Sequence, residues 1–562
     1  MRFAIRRTSP VARPALRLVD AGVASPRSEL MSHRALFVTV ASAVLIGAAV
    51  RLSYVFAFDF PLNDGGLFFA MTRDLQAADY RLPETASYNS AGIPFAYPPF
   101  AFYLAAALND VAGASLESIF RFVPLAANIA MIPAFFLLSR RLVPSRLSAA
   151  AATMLLAFLP RAFYWMIMGG GITRSLGFLF AVLAIWAMTA AYQDRRPRFV
   201  AAAALFGALA LLSHIQMAWF VAFSSAILWF AYGRHRFGVL ASVAAALGAA
   251  ALAAPWWITV LVYHGPDPFI AAARGGDVTA NPLVTFLRFG ITSELLFPAI
   301  AALGLAGALL ALAERRYVLP GWLLACLVLD QRAFGTVAAI PLALLGGLAV
   351  EHLWRYLHHD SAPRPERHAT PPAVWLLPAA SAVAISYLFL SAVVSGGQLL
   401  TAMSPGERDA MAWVAANAPA SSRVLVITDD RWFADRTSEW FPYLAERESV
   451  ATVQGYEWLP GGVFAARLDR YRDVQKCARD TTTCLDAWFA ASGVGFDYVY
   501  VPKLSPRYTS SSTQQDGCCE ALLQSLAADS RYLTVYDEDG ATIFQRRGGS
   551  GIMQPGWSMP QR

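Results

Sequence analysis

Two stretches decide the fold: ALFVTVASAVLIGAAV, from Ala35 to Val50, and LASVAAALGAAALAAPWWITVLVY, from Leu240 to Tyr263. Neither holds an acidic or basic residue, and a helix of about 20 such residues crosses the ~30 Å hydrocarbon core of a bilayer. Similar runs recur along the 562 residues, of which 57% are hydrophobic and 15% charged, whereas a soluble domain carries roughly 25% charged residues. That excludes an ordinary soluble enzyme and indicates a polytopic α-helical membrane protein. The net charge of +7 comes from arginines in short clusters between apolar runs. Membrane orientation explains that pattern, and nucleic acid is not an expected partner.

Cytoplasmic loops retain positive charge, so the arginines set the expected topology. With the N-terminus inside, about eleven transmembrane helices fall near 34–57, 119–139, 148–165, 173–193, 198–213, 215–232, 237–262, 295–313, 317–329, 333–354 and 372–395, within a transmembrane domain at 34–400. Each inner loop is then basic: Arg140, Arg141 and Arg146; Arg195, Arg196 and Arg198; Arg234 and Arg236; Arg315 and Arg316; Arg355, Arg364 and Arg367. Residues 1–33, with Arg2, Arg6, Arg7, Arg13, Arg17 and Arg27, read as a basic cytoplasmic tail, with Met1 and Met31 both open as the start. In the first outer loop, 58–118, the segment YPPFAFYLAAALNDVAG from Tyr97 is short for a span. It reads as a surface helix begun by Pro98-Pro99.

An odd number of spans puts everything after residue 395 outside the cytoplasm. There the composition turns polar, and 404–547 reads as an extracytoplasmic α/β domain, followed by a Gly/Ser/Pro-rich disordered tail at 548–562. SPGERDAMAWVAANAP from Ser404 has a helix start, RVLVITDD, SVATVQG and FDYVYVPK read as strands, and YLTVYDEDGATIFQ as a hairpin turning at Asp539-Gly540. No glycine-rich nucleotide loop follows a strand. Cys477, Cys484, Cys518 and Cys519 all lie in this domain, which predicts at least one disulfide, Cys477 to Cys484 being the most local pairing. Their spacing and the lack of a nearby His disfavour zinc.

The first outer loop opens with DFPLNDGGLFFAMTRDL, which sets Asp59, Asp64 and Asp74 near the membrane surface. Asn63-Asp64 is placed to cap the helix that follows, and a carboxylate held there can take a proton from a bound hydroxyl. In GGGITRS, Gly169, Gly170 and Gly171 let backbone N–H groups converge at a helix start, and Arg174 adds a positive charge. A lipid phosphate fits such a place, and so does a plain tight turn. Arg332, in LDQRAFGTVAAIPLALL, is an outward-facing Arg at a span end and should have a partner, either a phosphate or one of Asp330 and Glu294. His214 and Tyr97 are candidates for substrate contact, or for span end and interfacial anchor. Trp440, Tyr443, Tyr456, Glu457 and Trp458 fit sugar stacking or core packing.

A carboxylate just after the first span, then a helix, a turn and a Tyr-Pro-Pro segment (Asp64, LFFAMTRDLQAADYRLPE, FAYPPFAFYL) resembles the GT-C superfamily of membrane glycosyltransferases, which includes protein O-mannosyltransferases and the lipid A aminoarabinose transferase. The resemblance implies Asp64 as general base, a polyprenyl-phosphate-linked sugar as donor, inversion at the anomeric carbon, and an extracytoplasmic glycan, lipid or protein as acceptor. It also places an Arg such as Arg332 near the donor phosphate. Asn63 stands where the family carries a second acid and is assigned to substrate, and the loop MGGGITRSLG lacks the acid often found there. No metal ligand is assigned, and dependence on a divalent cation is left open. Two rival functions are an O-antigen ligase or polymerase, which would rely on outer Arg and His residues, and a transporter or flippase of lipid-linked sugars, whose sites would lie in mid-membrane. A reporter fused after Gly548 is expected to be active only outside the cytoplasm; activity confined to the cytoplasm would overturn both the span count and the placement of Asp64.

Overall fold

The computed structural model describes residues 31–275, 282–359, 373–503 and 518–548. The basic tail before Met31, the inner-loop residues Arg364 and Arg367, and the tail after Gly548 lie outside the described residues.

Every predicted span falls on a helix, but the lengths differ from expectation. Among the described residues five helices are long and apolar enough to cross a membrane: His33–Val55, Leu116–Leu142, Gly171–Asp194, Ile215–Gly233 and Phe334–Leu357. Arg236–Leu252 and Ala254–His264 make a sixth if taken as one span broken by a 60° bend. Pro255 sits in the first turn of the second piece, where its missing N–H interrupts the helical ladder. Of the other five predicted spans, four coincide with apolar helices of 12–17 residues and the last with helix Ala373–Ser395, so length and composition alone mark five or six crossings among the described residues. The span expected at 148–165 shows the cause: its helix stops at Phe158 because Leu159 turns extended ahead of Pro160.

The helices pack through small residues, as membrane helices do when no water drives them together. A side chain at Gly307 would sit 1.8 Å from the Leu345 carbonyl oxygen, and one at Gly347 2.3 Å from that of Ser148. Arg51, fully buried in the first span, donates to Asn128 Oδ1 at 2.5 Å and to the Gly47 and Ala157 carbonyls at 2.8 Å each. Asn128 in turn donates to the Ala162 carbonyl. This polar tie joins the first span, Leu116–Leu142 and the turn after Phe158.

The bundle has two distinct ends. At one, Arg146 bonds His33, Arg141 pairs with Asp194 at 2.7 Å, and Ser145 donates to Glu351, which also pairs with Arg355. Gly171–Asp194 has 24 residues, so its other end lies about 36 Å away at 1.5 Å per residue. There the first outer loop and the tail domain meet. Within that loop Phe100–Ala112 is a 13-residue helix entered through Pro99 and ended by Gly113 in the left-handed region. It buries one face through Ala101, Phe102, Ala105 and Ala106.

The loop also holds a short ribbon, β1 (Thr85–Ala86) against β2 (Ile93–Pro94). The tail domain has a five-stranded sheet in the order β4-β3-β5-β7-β6, with β3 Arg423–Val426, β4 Glu448–Ser449, β5 Tyr498–Pro502, β6 Tyr532–Glu538 and β7 Ala541–Arg546. β3 runs parallel to β4 and β5, and β7 is antiparallel to β5 and β6. SVATVQG contributes only its first residue to a strand, because the chain turns at once into the loop that lines the site. Ser404 and Glu407 form a reciprocal cap for helix Pro405–Asn417. Strand alternation sorts the domain: Leu425, Ile427, Val499 and Val501 face a core of its own, while Val424, Val426, Tyr498 and Tyr500 belong to the core continuous with the membrane helices. The sulfurs of Cys477 and Cys484 are bonded, as are those of the adjacent Cys518 and Cys519.

Gly307→Ala is expected to cost about 1–3 kcal/mol, because its methyl meets backbone that cannot swing aside. A lowered thermal midpoint of the purified protein in detergent checks this; an unchanged midpoint contradicts the packing.

Candidate active site

Where the loop, the bundle and the tail meet lies a cavity of about 930 Å³. It brings together Asp64, Tyr97, Gly170, Arg174, His214 and Arg332 from separate parts of the chain, with Glu439, Glu457 and Trp458 from the tail. Asn63 is not on its wall: its side chain donates to the Leu399 carbonyl at 3.1 Å and is buried.

The glycine turn is already occupied by an anion. Gly170 N–H donates to the Asp64 backbone oxygen at 2.8 Å and to Oδ1 at 3.0 Å, Gly169 N–H to Leu62, and Gly171 N–H to Met168. Arg174 Nη2 completes the grip on Asp64 Oδ2 at 3.0 Å. The carboxylate of Asp64 thus takes the position expected for a lipid phosphate, at the start of a helix whose dipole favours negative charge. The glycines serve close approach: a side chain at Gly170 would lie 2.6 Å from Asp64 Oδ2, and one at Gly169 2.1 Å from the Asp64 carbonyl oxygen. With side chains 20% and 25% exposed, Asp64 and Arg174 keep an opening to the cavity. Asp59 is instead paired with Arg408, and Asp74 accepts the Ser87 N–H.

Asp64 does not cap the next helix, contrary to expectation. Helix Gly66–Ala77 has Gly65 at its cap position with no side-chain bond of its own. The acceptor comes from the tail: Glu439 Oε2 receives Gly65 N–H and Gly66 N–H at 2.9 Å each, and Oε1 receives Leu67 N–H at 3.0 Å. Its helix, Arg436–Leu444, is held at its start by Asp435, which accepts from Ser438 N–H, Thr428 and Tyr471. The next residue, Trp440, donates its indole N–H to the Asn63 carbonyl at 2.8 Å. Burial, followed by the charge of Asp64, pushes the Glu439 carboxyl up to about 8. Sequence reading missed Glu439, because its partners are backbone amides more than 370 positions away and leave no pattern in the chain.

The remaining candidates divide. Arg332 makes no ion pair with Asp330 or Glu294; it donates to the Gly275 carbonyl at 2.9 Å. Asp330 bonds Gln216 and Ala333 N–H, and Glu294 bonds Thr292 and Ile300 N–H. Burial, then the charges of Arg174 and Arg332, push the His214 imidazole down to about 3. It is therefore neutral at ordinary pH and carries no charge for an anion. Its buried Nδ1 has no hydrogen-bond partner among the described residues. Tyr97 shares a hydrogen bond with Thr173 at 3.3 Å and packs between Phe68 and Trp458. Trp440 is core, whereas Trp458 and Glu457 reach the cavity. Among the described residues no three His, Cys, Asp or Glu side chains gather to hold a metal ion.

Solved structures share this fold. ArnT from Cupriavidus metallidurans in the apo state is similar over 91% of this chain and 97% of its own, with a TM-score of 0.53 and 15% identity. The oligosaccharyltransferase AglB from Archaeoglobus fulgidus, solved with an inhibitory peptide and a dolichol-phosphate, matches over 82% of this chain and 69% of its own, with a TM-score of 0.51 and 16% identity. At such identities the likeness shows the fold. No family model matches the chain, and no curated protein does.

The raised Glu439 carboxyl makes stability depend on pH. Asp64, Arg174 and Tyr88 are the ionisable groups around it. Unfolded, it ionises near 4.5; folded, near 8. Between these values the folded protein holds a proton that the unfolded chain has released, so this contribution falls as pH rises and levels off above about 8. Thermal midpoints measured from pH 5 to 9 should decline more steeply in wild type than in Glu439→Gln, which cannot ionise. Parallel profiles would contradict the assignment.

Proposed function

We propose that the protein is a membrane glycosyltransferase that moves one sugar from a polyprenyl-phosphate donor to a hydroxyl on the extracytoplasmic side, with inversion. The observation that carries this reading is the carboxylate of Asp64, held at the wall of a large cavity that also exposes Arg332, in a GT-C fold. Dolichol-phosphate bound to the archaeal oligosaccharyltransferase of the same fold supports a lipid-phosphate donor. The concentration of arginines at the far end of the bundle supports an extracytoplasmic cavity and tail.

The acceptor oxygen attacks the anomeric carbon as the bond to the donor phosphate breaks, and the hydroxyl proton passes to Asp64. Gly170 and Arg174 occupy two of the roughly four acceptor positions of a carboxylate, which leaves capacity for that hydroxyl. The phosphate leaves with its negative charge, and Arg332, bound only to carbonyl oxygens among the described residues, supplies the compensating cation. A second cavity of about 670 Å³ shares Arg274, Gly275 and Glu457 with the first and gives the acceptor a route in past the tail.

Asp64→Asn separates roles. Asn keeps an oxygen for the Gly170 N–H but accepts no proton, so expression and donor binding should persist while transfer falls on the order of 10²–10⁴-fold. Asp59→Asn and Asp74→Asn should retain much of the activity, and Arg332→Ala should weaken donor binding. Transfer by Asp64→Asn at close to the wild-type rate, measured with polyprenyl-phosphate sugar and purified enzyme, would remove Asp64 as the base.

A further inference from the structure

The tail domain bonds directly to the loop carrying Asp64. Glu439 is 3% exposed, and its two oxygens collect the first three N–H groups of the helix that follows Asp64. No local residue can substitute, because the cap position is Gly65, at a φ of 152° that side chains rarely adopt.

We propose that Glu439 is a positioning residue for Asp64: by gathering the amides of Gly65, Gly66 and Leu67, the tail domain sets how the carboxylate stands in the cavity. The catalytic half of this inference rests on the proposed function. Its structural half rests on four observations. Asp64 is gripped on both sides by consecutive tail residues, since Trp440 holds the carbonyl of Asn63 and Glu439 holds the N–H of Gly65. The fit has no slack: a side chain at Gly65 would lie 2.8 Å from the Trp440 ring, and one at Gly66 2.8 Å from the Glu439 carbonyl oxygen. Glu439 is itself braced, because the Tyr88 hydroxyl donates to its carbonyl oxygen and Asp435 anchors the start of its helix. Finally, Glu439 lines the same cavity as Asp64, so the contact is made at the site and not at a remote seam between domains.

The consequence differs from that of a simple docking contact. Without Glu439 the three amides turn to water, the loop gains freedom, and Asp64 loses its fixed approach to the acceptor hydroxyl. A displacement of about 1 Å can cost on the order of 10²-fold in rate. Donor affinity, set on the Arg332 side of the cavity, should change little.

The test uses the full-length protein in detergent with hydrogen–deuterium exchange and steady-state transfer. In Glu439→Ala the amides from Gly65 to Leu67 should exchange at least about tenfold faster while β3 and β5 keep wild-type protection, and kcat should fall on the order of 10²-fold with the donor KM nearly unchanged. Glu439→Gln, which keeps an acceptor oxygen at the same reach, should restore most of the protection and rate, and Glu439→Asp, one methylene shorter, should not. Wild-type protection of those amides in Glu439→Ala, or a wild-type kcat despite their exposure, overturns the proposal. If Glu439→Ala does not fold, the Gln and Asp variants decide it: equal kcat in the two overturns it. A wild-type protein that transfers no sugar contradicts the proposed function, and the exchange comparison alone then decides for or against Glu439.

Discussion

Two helix N-termini meet at the site, and each presents unsatisfied N–H groups that require an anion or acceptor. Helix Gly171–Asp194 is met by Asp64, and helix Gly66–Ala77 by Glu439. Neither helix carries its own cap, so each depends on a residue from another part of the chain. The loop therefore cannot take its shape without the glycine turn beneath it and the tail above it. Three segments distant in sequence become one unit because buried amides cannot be left without partners.

That arrangement also assigns the charges. Arg174 is committed to Asp64, and Glu439 is committed to amides, while Arg332 meets only carbonyl oxygens among the described residues. Burial, reinforced by the charges of Arg174 and Arg332, keeps His214 neutral. The cavity thus places the Asp64 carboxylate and the Arg332 guanidinium on its wall, the two charges that the proposed hydroxyl attack with a departing phosphate would use. Arg51 carries the same lesson inside the bundle: a charge in the membrane domain is tolerated because Asn128 and two carbonyls surround it.

Much of this was legible in the chain. Among the described residues each apolar run falls on a helix, and the first-loop motif singled out Asp64, which lines the cavity, from Asp59 and Asp74, which do not. Hydropathy did not reveal helix length, because proline and the residue before it end helices inside apolar segments, as at Leu159-Pro160. At the glycine turn the Gly170 N–H and Arg174 meet the Asp64 carboxylate, a contact that sequence does not reveal, since it cannot say whether a convergence of amides will face a ligand or a carboxylate of the same chain. Glu439 was invisible for a deeper reason. It acts on backbone amides, which every residue has, and only the folded chain shows which three it reaches.

The central claim is that the cavity holds a lipid phosphate facing Asp64. The most direct measurement is a cryo-electron microscopy structure of the protein with polyprenyl phosphate bound. The account predicts phosphate density within hydrogen-bonding reach of Arg332, in the same cavity as Asp64. Phosphate at the opposite end of the bundle, beside Arg141 and Arg146, or outside this cavity altogether, would contradict it.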